Sequence, residues 1–110
     1  LNAADVAFLT SKWEGSPQFI KEALATSTPI VSTDVGDIKE RTKNVASSYI
    51  FDEKTTSHAQ IANYIENAFS FRRKHKWTNG REILIAQDVS IEKIGEEIFT
   101  IYKKNCKNNI

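Results

Sequence analysis

The 110-residue chain has no methionine, one cysteine, two prolines, two histidines and four glycines, and each shortage excludes something. The lone thiol, Cys106, closes no internal disulfide and fits a reducing compartment. It stands in a polar tail, where a structural or incidental thiol is expected rather than a nucleophile. His58 and His75 lie far apart, with no cysteine or carboxylate cluster at ligand spacing, so no metal and no cofactor is expected. The glycines build neither a Gly-x-Gly-x-x-Gly turn nor a Walker sequence, and no serine sits on a nucleophile elbow. A formal net charge of +1 supplies no strong field for nucleic acid or membrane, and no nucleic-acid partner is expected. No apolar run approaches the ~20 residues that span a bilayer, and no secretory leader is visible. The missing methionine and an opening in mid-pattern, LNAADVAFL, lead us to expect a fragment of a longer protein.

What is present is an ordinary globular composition, 40% hydrophobic and 26% charged, sized for one domain at most. The informative stretch is EGSPQFIKE, Glu14 to Glu22. Ser16 is a good N-cap, and Pro17 suits the first helical position because its missing N–H would be an orphan there anyway. The amides of Gln18 and Phe19 then point at an open helix start, which carries partial positive charge. Gly15 removes a side chain where a ligand would approach backbone. Glu14, in the loop, can fold back over that start, and Glu22 shares a helical face with Gln18. Phe19, Ile20, Ala23 and Leu24 form the opposite, apolar face. On spacing alone, ordinary charge–dipole matching at Glu14 and a solvated Glu22 beside Lys21 are the favoured reading.

Around this stretch the chain spells one βαβ unit. Val6 to Thr10 is a short apolar run expected as a buried strand after a helix end at Leu1 to Asp5. A helix follows from about Pro17 to Ala25. Pro29 bars its continuation, and Ile30 to Thr33 is a second buried strand. Two strands joined by a helix are parallel with a right-handed crossover. The loops Ser11 to Ser16 and Asp34 to Asp37 therefore leave the carboxyl edge of one sheet, where open α/β sheets bind ligands. Asp34 and Gly36 are possible loop contacts, and Asp34 and Glu40 are candidate loop carboxylates.

Downstream, Ile38 to Thr42 is expected as a helical turn and Tyr49 to Phe51 as a third strand. Thr55, Thr56 and Ser57 offer caps to a helix whose Ile61, Tyr64, Ile65, Ala68 and Phe69 recur at helical spacing. Arg72 to Lys76 follow it as a solvated basic end, with contact to an anionic headgroup or acceptor phosphate as the sharper alternative. Trp77 is expected to pack as a lid on the core. Thr78 to Gln87 is a helix burying Ile83, Leu84 and Ala86. After Asp88-Val89, Ser90 caps a last helix with an apolar stripe of Ile91, Ile94, Ile98, Ile101 and Tyr102, and Asn105 to Ile110 is expected to fray.

Residues 2–40 resemble the nucleotide-sugar-binding half of the group 1 (family 4) retaining glycosyltransferases, which have the GT-B fold. The Glu-x7-Glu pattern is matched by Glu14 and Glu22 and the small-residue and proline turn by Gly15, Ser16 and Pro17. The Glu-Ala-Leu-Ala segment is matched by Glu22 to Ala25, and the Pro-Ile-Val strand by Pro29 to Val31. The Thr-Asp-x-Gly-Gly-x-x-Glu loop is matched by Thr33, Asp34, Gly36 and Glu40, with Asp37 in place of the second glycine. The resemblance implies an α/β fold, with residues 1–110 forming part of a Rossmann-like parallel sheet flanked by helices in a donor-binding domain. It implies a catalytic role for Glu14 beside the sugar, and ribose binding by Glu22. Amides at Ser16, Gln18 and Phe19 would meet sugar hydroxyls or phosphate. It further implies a nucleotide-sugar donor without metal, and a glycan or lipid-linked acceptor of cell-surface polysaccharide or glycolipid synthesis at the cytoplasmic face of a membrane. The acceptor site would lie in an N-terminal GT-B domain outside this segment, leaving the segment inactive alone. A non-catalytic GT-B-like nucleotide-binding or scaffolding domain is the alternative. A glycosidase is disfavoured, because both carboxylates belong to one helix start rather than to opposite walls of a cleft.

Overall fold

A computed structural model describes residues 3–87 and 91–106. Its centre is a parallel sheet ordered β1 (Ala7–Leu9), β2 (Ile30–Thr33), β3 (Ser48–Phe51). Ala7 pairs with Ile30 and Leu9 with Ser32, and on the other side Val31 pairs with Tyr49 and Thr33 with Phe51. Every residue of β2 is buried, as a central strand covered on both faces requires. The fold is thus the expected α/β class, a Rossmann-like parallel sheet between helices.

Strand alternation splits the core into two layers. One face carries Ala7 and Ile30, packed by Ile20, Ala23 and Leu24 of α1 (Gln18–Ala25) and by Ile38 of α2 (Ile38–Arg41). The other carries Val31 and Phe51, covered by Ile61, Tyr64, Ile65 and Ala68 of α3 (His58–His75). Tyr64 stacks on Tyr49 with ring centroids 5.3 Å apart. Ser57 caps α3 by accepting from the Gln60 amide at 3.2 Å, the last of the three residues expected to offer a cap.

α4 (Gly80–Gln87) crosses α1 closely enough that a Cβ on Gly80 would meet Leu24 Cα and O at 3.1 Å. Thr78 and Asn79 pin its start. The Thr78 amide donates to Ser27 O and its hydroxyl accepts from the Gly80 amide, both at 3.0 Å. The Asn79 side chain accepts from the Ala46 amide at 2.7 Å and donates to Asn44 O at 3.0 Å.

Several expectations are corrected. β1 spans three residues rather than five, and residues 3–5 form a turn and bend rather than a helix end. The basic run does not follow α3: Arg72 to His75 are its last turn, and Lys76, at φ 70°, ends it. Trp77 is no lid, because Arg72 lies over its ring at 4.3 Å and holds it at the surface. Ile83 and Leu84 turn inward as expected, but Ala86 is exposed, since α4 meets α1 along a narrow stripe. α5 (Ile91–Cys106) includes Asn105 in its last turn, and no residue of it is buried. The expected linker and cap at Asp88, Val89 and Ser90 lie outside the described residues, as do the first two and last four positions. Among the described residues, no helix is long and apolar enough to cross a membrane.

Candidate functional site

The carboxyl ends of β1 and β2 are tied together before any ligand is considered. The Thr33 hydroxyl donates to Ser11 O at 2.7 Å, and the Asp34 amide donates to Phe51 O at 2.8 Å. The two loops that leave this edge then close on each other. The Asp37 amide donates to Gly15 O at 3.0 Å. Gly36 has φ +56°, and a Cβ there would fall 2.1 Å from Gly15 O and 2.7 Å from Glu14 O. Only glycine provides both the left-handed backbone and the space. Gly15 itself faces open space, with nothing within 4 Å of where a Cβ would stand.

Ser16 departs from expectation. It does not cap α1. Its hydroxyl donates to Asp37 Oδ2 at 2.6 Å, and the helix begins one residue later, with Pro17 at the cap position (ψ 125°) and no side-chain cap. Pro17 O accepts from Ile20 and Lys21, while the amides of Gln18 and Phe19 take no partner among the described residues. The open helix start therefore exists, one residue further along than the sequence suggests.

Glu14 is exposed and accepts from the Ser11 hydroxyl at 3.0 Å, within its own loop. It makes no hydrogen bond with the amides of α1 among the described residues. Gln18 and Glu22 do share a wall, lining a cleft of about 590 Å³ whose other side is Leu84, Gln87, Ile91, Ile94 and Glu97. The Phe19 side chain packs on the core, so only its backbone faces the helix start. Asp34 forms an ion pair with Lys39 at 3.6 Å. Glu40 joins Asp37, Arg41 and Gln87 around a second cavity of about 330 Å³.

Arg41 and Gln87 border both cavities, and neither was singled out from the sequence. Arg41 donates through Nε to Asp37 Oδ2 and through Nη1 to Gln87 Oε1, each at 3.0 Å, and Gln87 Nε2 donates back to Arg41 O at 2.9 Å. A chain of side chains thus runs from Ser16 through Asp37 and Arg41 to Gln87. The i, i+4 spacing of Asp37 and Arg41 was the available signal. The partnership with Gln87, 46 positions away, had none.

The basic end of α3 lies elsewhere. α3 starts beyond the carboxyl end of β3 and runs 18 residues, about 27 Å at helical rise. Its Arg72 reaches Asp5, ahead of β1, at 3.7 Å. This end is therefore at the opposite sheet edge from Glu14 and Glu22 and does not contribute a cation to their site.

Comparison with known proteins gives one family match. The family model described as glycosyl transferases group 1 covers residues 1–82, which include every sequence-predicted site residue. No curated protein and no solved structure matches.

Proposed function

We propose, on the premise that the chain belongs to the group 1 glycosyl transferases, that its open helix start and the two loops beside it form part of a nucleotide-sugar site. The proposed reaction is retaining transfer in a GT-B protein. The observation that carries this reading is the uncapped start of α1, flanked by Glu14 in the preceding loop and Glu22 on the cleft wall. Such a start offers donors and partial positive charge to a diphosphate. Glu22, acceptor-only and exposed, suits ribose hydroxyls through charge-assisted bonds. Glu14, free on one side of its loop, suits a sugar hydroxyl and the positive charge that develops as the glycosyl–phosphate bond breaks. The departing diphosphate is held by amides and protein cations, so the reaction proceeds without metal.

The acceptor in this proposal is a growing cell-surface polysaccharide or glycolipid, met at the cytoplasmic side of a membrane and bound by an N-terminal domain outside these residues. Residues 1–110 alone are then inactive, and glycosyl transfer by the purified segment would refute that part. The main test is hydrolysis of a nucleotide-sugar panel by the whole protein, with chelator present. Turnover of one donor, unchanged by chelator and lowered at least about a hundredfold in Glu14→Ala and about tenfold in Glu22→Ala, is expected. Turnover that survives both substitutions would contradict the assignment.

A further inference from the structure

A serine followed by proline at a helix start ordinarily caps the helix, with the proline as its first residue. Here the Ser16 hydroxyl donates to Asp37 Oδ2 at 2.6 Å, which turns its acceptor oxygen towards the other loop, and α1 starts at Gln18 with no side-chain cap. Asp37 is well equipped to hold it there. Its amide fixes Gly15 O at 3.0 Å, and Arg41 Nε donates to the same carboxylate oxygen at 3.0 Å. Gln87 holds Arg41 through two further bonds. The side chains of Asp37 and Arg41 are only 26% and 22% exposed, so the pair is partly shielded from solvent. Arg41 also offsets the charge that an aspartate would otherwise present to a nearby phosphate.

We propose that Asp37 is a positioning residue: it draws Ser16 off the start of α1 and so keeps the Gln18 and Phe19 amides open to the phosphate-bearing part of the donor. The inference rests on the donor-site reading above, but half of its test needs no ligand. Without Asp37 the Ser16 hydroxyl is released, α1 gains a residue at its start, and the serine occupies the amides that a ligand needs.

The experiment compares wild type, Asp37→Ala, Ser16→Ala and the double variant. Amide hydrogen exchange at Gln18 and Phe19 is followed by NMR, and affinity for UDP-glucose and GDP-mannose by calorimetry, in the whole protein. In Asp37→Ala, exchange at one of the two amides slows by about fivefold or more as Ser16 caps the helix. Affinity for the bound sugar nucleotide falls by about five- to tenfold. In the double variant both return to within about twofold of Ser16→Ala, because no competing cap remains. A role confined to bracing the turn predicts no such rescue. Unchanged exchange in Asp37→Ala, or a double variant as weak as the single one, would overturn the proposal. Binding of neither sugar nucleotide by wild type would count against the donor reading, while the exchange pattern would still decide what Asp37 does to Ser16.

Discussion

α1 and α5 are both written as amphipathic helices, and they have opposite fates. α1 buries Ile20, Ala23 and Leu24 completely between the sheet and α4. α5 carries Ile91, Ile94, Ile98, Ile101 and Tyr102 at helical spacing and buries none of them, with Ile98 62% exposed. The difference lies in what the chain puts opposite each face. α1 is bounded by two strands that must pair in parallel, so its apolar side has one place to go. The described residues put no such pair of strands around α5, whose Ile91 and Ile94 help to line the Glu22 cleft. An apolar stripe states that a helix has a face to cover and leaves open what covers it.

Substitutions can break or sharpen this contrast, read by urea denaturation of the chain. The largest effect is expected at the centre of α1: Leu24→Ala removes a fully buried side chain and should cost ~2–5 kcal/mol. Gly36→Ala comes next, since it forces a side chain into a left-handed turn already in contact with Gly15 O; a loss of ~1–3 kcal/mol is expected. Asn79→Ala removes two bonds that anchor the start of α4, and should cost ~1–2 kcal/mol, mainly by leaving the part-buried Ala46 amide unpaired. Arg72→Ala, which uncovers Trp77 and frees Asp5, should cost ~1 kcal/mol or less. The smallest effect is expected at Ile98→Ala, within about 0.5 kcal/mol of zero. An Ile98→Ala cost that matched Leu24→Ala would break the contrast, because it would mean that α5 is covered in solution.

The same contrast explains what could be read from the sequence. β2 was legible because a short run opening on Ile30 and Val31 follows a proline break, and α3 because Ile61, Tyr64, Ile65 and Ala68 meet the sheet at one repeating spacing, although Phe69, expected on the same face, is 41% exposed. The placement of the two loops of the candidate site at the carboxyl edge followed from parallel pairing alone. The Ser16 cap was misread for a definite reason. Local rules rank serine as the natural cap, and the competitor for its hydroxyl, Asp37, is 21 positions away on another loop. The Trp77 lid failed for a local reason instead: Arg72, in the last turn of α3, lies over its ring and leaves it half exposed. Arg41 and Gln87 were missed because a charged residue and an amide on separate short helices carry no shared spacing. Local chemistry predicted the elements well; hydrogen bonds between loops, which set the helix start, needed the fold.

The most direct test of the donor-site account is a hydrogen-exchange footprint of the whole protein with and without a saturating nucleotide sugar. The account predicts slower exchange confined, within these 110 residues, to Glu14–Glu22 and Asp34–Arg41, with the end of α3 from Phe69 to Lys76 unchanged. Protection concentrated at the end of α3, with the start of α1 unaffected, would contradict it.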